Sequence, residues 1–199
     1  MFTLMKNPLT SALQRFARLN PQEADLISKH CCLLRIRKGE HLLRANSKSL
    51  DVYFILSGVF RNYFVKESGD EVTRLFYLPG ELMADLNNFY DGTLSSSSLQ
   101  AETDGDLIRI SNKSWKVLAN SIPDWNIGMS KLFSQTLHAK MNFQRKVIEQ
   151  DAIASYKDFL EEYPNVIQLV PASHVASFMG ITRHSLSRVR GNFTALKRS

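Results

Sequence analysis

The sequence predicts an α+β protein: an antiparallel β-roll, then one long helix, then a small helical unit that ends in a helix-turn-helix. Three observations carry this expectation. Short β-rich runs punctuated by glycine turns fill residues 33–110. From Pro123 to Tyr163 the apolar residues follow a helical period with no further proline. Residues 170–190 combine a small residue, a turn glycine and a helix cap at the spacing of two steeply crossing helices. The boundaries that follow are 1–122 for the roll, 123–150 for the long helix and 151–199 for the C-terminal unit, a division that 199 residues can support.

Taken in chain order, Asn20-Pro21-Gln22-Glu23 reads as a cap with proline in the first turn, opening a short helix to about His30. The β-rich runs are Leu33 to Arg37, His41 to Arg44, Val52 to Leu56, Val59 to Val65 and Val72 to Tyr77, with turns at Lys38-Gly39-Glu40, Ser57-Gly58 and Ser68-Gly69-Asp70. Val59, Arg61, Tyr63 and Val65 alternate with Phe60, Asn62 and Phe64, so both faces of that strand carry bulk and both are expected to be covered. In the long helix Phe133, Leu137, Met141 and Ile148 form an apolar row broken by Gln144. That helix is longer than one small roll needs, so the row is expected to be a dimer seam. Asp151 caps a second helix that ends before Pro164.

Charge distribution narrows the function. The formal net charge is +6, and from Tyr163 to Ser199 there is no Asp or Glu, while Arg183, Arg188, Arg190, Lys197 and Arg198 all fall there. An anionic partner at the C-terminal end follows. In the run from Val170 to Arg190, Ala176 suits the closest approach of two helices, and Gly180 suits a turn that needs positive φ. Pro171 suits the first turn of the first helix and Thr182 the cap of the second, with Val175, Ile181, Leu186 and Val189 facing the shared core. Arg183, His184, Ser187 and Arg188 then return to one outward face and can reach base edges, while Ser173, Ser185 and Arg190 suit phosphates. Double-stranded DNA is the expected partner. A solvated basic hairpin is the bland alternative, and a ligand-binding module that acts on a partner protein is the rival function.

Other classes are disfavoured. Cys31 and Cys32 are adjacent and are the only cysteines, so they form neither a disulfide framework nor a metal-ligand pair; packing thiols are expected, with a redox switch as the alternative. His41 is the only histidine in the strand region, so no three-histidine metal site can form there, and no Gly-x-Ser-x-Gly nucleophile motif occurs. No metal, no cofactor and no catalysis are expected. No secretory leader and no span that could cross a bilayer are evident, so a cytoplasmic protein is expected.

Gly39-Glu40, Ile55-Leu56-Ser57-Gly58, Gly69-Asp70-Glu71, Pro79-Gly80-Glu81-Leu82, the long helix after Pro123-Asp124 and the helix-turn-helix appear in an order and spacing that resemble the cyclic-AMP receptor protein and fumarate-nitrate regulator (Crp/Fnr) superfamily. The resemblance implies a cyclic-nucleotide-binding-like roll (a double-stranded β-helix), a dimerisation helix, a palindromic operator read by a homodimer, and RNA polymerase as a further partner. It places the effector pocket at Gly80, Glu81, Ala84, Asp85, Ser95, Ser96, Lys140 and Met141. Members that bind cyclic AMP carry a Gly-Glu pair and an Arg-Ser or Arg-Thr pair in the phosphate cassette. Here those positions read Ala84-Asp85 and Ser95-Ser96, so the arginine that would neutralise the phosphate is missing and ordinary cyclic-AMP sensing is not expected. The oxygen-sensing branch needs four cysteines for an iron–sulfur cluster, which this chain lacks, and His30, His41 and His138 are scattered rather than placed for haem. The family's β-hairpin wing has little sequence to form it after Phe193, so an abbreviated DNA-binding unit that depends more on dimerisation is expected.

Overall fold

The computed structural model describes residues 7–196, leaving Lys197 and Arg198 of the basic tail outside the described residues. Two short helices open the chain, α1 (Pro8–Leu13) and α2 (Pro21–His30). The second starts with a capping box: Asn20 accepts from the Glu23 amide, and Glu23 accepts from the Asn20 amide. The roll consists of β1 (Cys32–Ile36), β2 (His41–Leu43), β3 (Val52–Ile55), β4 (Phe60–Val65), β5 (Glu71–Tyr77), β6 (Leu82–Met83), helix α3 (Leu86–Asp91), β7 (Ser98–Ala101) and β8 (Gly105–Ile110). Helix α4 (Asn112–Ser121), the long α5 (Trp125–Glu149), and α6 (Ala152–Glu162), α7 (Val166–Leu169), α8 (Ala172–Phe178) and α9 (Arg183–Leu196) complete it. Among the described residues no helix is long and apolar enough to cross a membrane.

The strands form two four-stranded antiparallel sheets, in the orders β1-β8-β3-β6 and β2-β7-β4-β5. Their inner faces meet in a core of Tyr53, Ile55, Phe60, Tyr77, Leu99 and Leu107. The alternation of the strands sends their other residues outward, and each sheet covers its outer face differently. On the first sheet, Val52, Phe54, Ile108 and Ile110 pack against α1, α2, α4 and the N-terminal half of α5, through Trp125, Met129, Leu132 and Phe133. On the second, Val59 and Phe76 join Phe143, Phe159, Tyr163, Phe178 and the rest of the C-terminal helical cluster. Helix α5 therefore belongs to both outer clusters, and strand β4 is buried on both sides from Phe60 to Tyr63, as its two-faced bulk predicts.

Several local expectations need correction. Phe133 is buried in the first outer cluster, so it does not belong to an outward seam; the helical period sets it about 80° around α5 from Met141, enough to turn it onto the roll. Gln144 is not merely a gap in an apolar row, because its amide donates to the Arg74 carbonyl at 3.0 Å and ties α5 to β5. Pro171 precedes α8 at the cap position rather than lying within its first turn. Cys32 is exposed and only Cys31 packs against apolar neighbours, so just one of the two thiols is a packing residue. Helices α1 and α4 were not anticipated: α1 is only six residues long, and both owe their place to burial against the roll.

Gly58, at φ +92°, sits where the β3–β4 turn meets the turn before β8; a Cβ there would lie 2.8 Å from the Asp104 carbonyl oxygen and 2.9 Å from Gly105 Cα. Gly39 also has positive φ, +87°, but is open to solvent. Gly58→Ala is expected to destabilise by about 1–3 kcal/mol more than Gly39→Ala, read as a lower urea midpoint at unchanged slope. Burial pushes the Cys31 thiol up to about 12, with the adjacent Cys32 adding to the shift. At pH 8 Cys31 is expected to be alkylated more slowly than Cys32, measured by mass spectrometry of iodoacetamide-treated protein.

Candidate nucleic-acid interface and effector pocket

Helices α8 and α9 pack around a shared core in which Val175, Ala176, Leu186 and Val189 are buried and Ile181 is partly so. The turn closes as the sequence chemistry requires. Gly180 adopts φ +67°, the Ile181 amide donates to the Ala176 carbonyl at 3.0 Å, and Thr182 Oγ1 accepts from the Ser185 amide at 3.0 Å, capping α9. Phe193 meets Tyr156 edge-on at 5.5 Å and holds the far end of α9 against α6.

With one side of α9 so anchored, Arg183, His184, Ser187, Arg188 and Arg190 all emerge into solvent, as does Ser173 at the start of α8. Among the described residues no acidic side chain pairs with these arginines, and the one side-chain bond they make is a long contact of 3.5 Å from Arg188 to Ser185 Oγ. Ser185 stands apart. It is half-buried, its amide is used by the cap, and its hydroxyl accepts from Thr182 at 3.0 Å, which makes it a brace for the turn more than a phosphate ligand. Thr182 spends its oxygen in the same way.

Among the eight effector-pocket positions two pairs satisfy each other, Asp85 with Ser95 and Glu81 with Lys140, while Gly80, Ser96 and Met141 are exposed. The Ser95 hydroxyl donates to the Asp85 carboxylate, and Asp85 also caps α3 by accepting from the Asn88 amide. Ser95 is further tied to Ser97, whose hydroxyl accepts from the buried Asn62 at 2.8 Å. Buried Asn88 bonds Ser47, Ser49 and Thr93, stitching the cassette to the facing loop. Ser96 and Gly80 are exposed, and Ala84 packs against the first outer cluster. No cation pairs with Asp85 among the described residues, so a phosphate placed beside Ser95 would meet a carboxylate and no counter-charge.

Glu81, Lys140 and Met141 have other roles. Lys140, at the centre of α5, is buried and its Nζ lies 2.7 Å from Glu81 Oε1 and 4.9 Å from the Tyr163 ring centroid. The other Glu81 oxygen accepts from the Leu78 amide at 2.9 Å. The pair therefore joins the strand before the cassette, the long helix and α6 in one contact. Met141 points the other way and is 67 % exposed. It shares an outward stripe with Leu137 and Ile148, and with Ile127, which a reading of the sequence had not picked out.

The most consequential residue missed from sequence is Arg61. It projects from the outer face of β4 and is 1 % exposed, with its guanidinium 2.7 Å from Glu71, 2.8 Å from Glu102 and 2.9 Å from the Gln100 side chain, stacked 4.0 Å from the Tyr63 ring centroid. The available signal was the alternation of β4, which placed Arg61 on a face already expected to be covered. Tyr63 in turn shares a 2.9 Å hydrogen bond with His41, whose imidazole is held below its ordinary value by burial and by the Arg44 and Arg61 charges.

Removing one member of a buried ion pair strands the other. Lys140→Met is expected to cost about 3 kcal/mol of unfolding free energy, and Lys140→Met/Glu81→Leu to recover part of it, measured by urea denaturation as a double-mutant cycle. Equal losses in the single and double variants would show that the pair contributes only through packing.

Comparison with known proteins agrees with this architecture. Residues 33–121 match the family described as Cyclic nucleotide-binding domain. The fumarate and nitrate reduction regulatory protein of Vibrio cholerae is 22% identical over 169 residues, which span 79% of this chain and 67% of that protein. In three dimensions the chain is similar to FixK2 from Bradyrhizobium japonicum, with a TM-score of 0.70 at 15% identity over 84% of this chain and 86% of that one. It is also similar to CLP of Xanthomonas campestris, described as a c-di-GMP responsive global regulator, with a TM-score of 0.68 at 16% identity over 88% and 92% of the two chains. In its matched domain and in its fold the chain is thus similar to regulators of the Crp/Fnr superfamily.

Proposed function

We propose that the protein is a homodimeric, sequence-specific DNA-binding transcription regulator, with residues 1–122 as a sensor-like roll, 123–150 as the dimer helix and 151–199 as the DNA-binding unit. One observation carries the reading: α9, braced by a glycine turn and a threonine cap, presents Arg183, His184, Ser187 and Arg188 on one solvent face in a segment without a single acidic residue. A helix of this kind enters the major groove with its first turns toward the bases. There an arginine can pair bidentately with guanine, contributing about 1–3 kcal/mol of discrimination. Ser173 and Arg190 are left for phosphates, and the named relatives, as regulators, support the same assignment.

The dimer follows from α5. Ile127, Leu137, Met141 and Ile148 are 54%, 37%, 67% and 84% exposed, and Ile127, Met141 and Ile148 stand at multiples of seven residues. Large apolar side chains at that period on an exposed helix match the seam of a two-stranded coil. A second copy would set two α9 helices against successive major grooves of a palindromic operator. RNA polymerase is the partner such a regulator works through, in the cytoplasm.

The cassette argues against a cyclic nucleotide as effector. Its Asp85 and Ser95 satisfy each other, and a phosphate would find no fixed cation there. Nothing in the roll's chemistry calls for catalysis.

Three measurements test this reading. Selection of bound fragments from sheared genomic DNA at physiological salt is expected to enrich a palindromic motif with wild type and not with Arg183→Ala/Arg188→Ala; equal, motif-free recovery would favour a partner-protein module. Met141→Glu/Ile148→Glu is expected to sediment as a monomer and to lose operator binding, whereas an unchanged dimer would move the interface elsewhere. Titration calorimetry with cyclic AMP is expected to show no saturable binding.

A further inference from the structure

Strand β5 ends its sheet, so its outward amides and carbonyls need partners from outside the ladder. Helix α8 supplies them. The Thr73 amide donates to Ser177 Oγ at 3.0 Å, and the Ser177 hydroxyl donates to the Glu71 carbonyl at 3.2 Å. One turn earlier, His174 Nδ1 lies 2.8 Å from Glu102 Oε1, and its Nε2 lies 3.9 Å from Glu71. Both carboxylates are the ones that hold Arg61. Beside them Phe178 packs edge-on against Phe76 at 5.1 Å. Positions 174, 177 and 178 share one helical face, so a single side of α8 is fastened to the roll while Ser173 and the basic face of α9 stay exposed.

We propose that His174 and Ser177, held by the buried Arg61 cluster, are positioning residues that lock the recognition helix in one orientation on its own roll. The inference rests on the DNA-binding reading above. After α5 ends at Glu149 the chain passes through an extended residue, Gln150, into α6, and without the bonds to β5 only the aromatic cluster around Phe178, which lacks directional bonds, would hold α8 on the roll, leaving it freer to shift. Binding DNA would then carry the cost of fixing its orientation; docking on β5 removes that cost in advance. The roll therefore sets DNA affinity through its edge strand as well as through the long helix.

The test is His174→Ala/Ser177→Ala in the full chain, read by amide hydrogen exchange and by operator affinity. Strand β3, paired on both sides, supplies reference amides that report global stability. The expected result is exchange of the Thr73 amide faster by about tenfold or more with the β3 amides unchanged, and operator affinity lower by about tenfold with affinity for random DNA unchanged. Unchanged Thr73 exchange would overturn the proposal, since the contact would not restrain the strand. Faster exchange with equal or tighter operator binding would also overturn it, because docking would then be neutral or inhibitory. The exchange readout uses no DNA, so absence of the contact and failure of the DNA-binding reading are told apart.

Discussion

A guanidinium withdrawn from water must be surrounded by counter-charge, and Arg61 is withdrawn almost completely. Its two carboxylates come from different strands, Glu71 at the start of β5 and Glu102 just past β7, and the residue that completes the cluster, His174, comes from α8. Without α8 the outer face of the second sheet would expose an arginine with its paired acids, two aromatic side chains and an unpartnered strand edge. The position of the C-terminal helices follows from that requirement. Phe76 and Val59 extend it into an apolar cluster with Phe143, Phe159, Tyr163 and Phe178, so polar and apolar forces hold the same surface.

Helix α5 connects this surface to the rest. Its N-terminal half closes the first sheet, its C-terminal half enters the aromatic cluster, and Lys140 at the junction reaches Glu81 ahead of the cassette. A change in the roll at Glu81 would be felt by the long helix and by Tyr163 together. What remains outward on α5 is the apolar stripe of Leu137, Met141 and Ile148, which the roll leaves uncovered.

Much of this was legible in the sequence because the signals are local. The turn at Gly180, the cap at Thr182 and the outward basic face of α9 depend on residues a few positions apart, and the structure places them as that chemistry requires. The bulk on both faces of β4 likewise announced that both would be buried. Legibility failed where the deciding partner is far along the chain. Phe133 and Met141 look equivalent in an apolar row, yet only the roll's position determines that one faces inward. Lys140 resembles an ordinary surface lysine until Glu81, 59 residues away, is brought to 2.7 Å. Arg61 and His174 gave no local sign of sharing Glu102. The effector pocket rested on a resemblance, and no local pattern announced that Asp85 and Ser95 would satisfy each other and Glu81 and Lys140 do the same.

If two copies of α9 read DNA in register, as proposed, hydroxyl-radical footprinting on the enriched motif will resolve them. The expected footprint is two protected half-sites with centres about one helical turn apart, roughly 34–36 Å, both lost when Arg188 is replaced by alanine. Uniform protection without half-sites, or a footprint indifferent to Arg188→Ala, would contradict it.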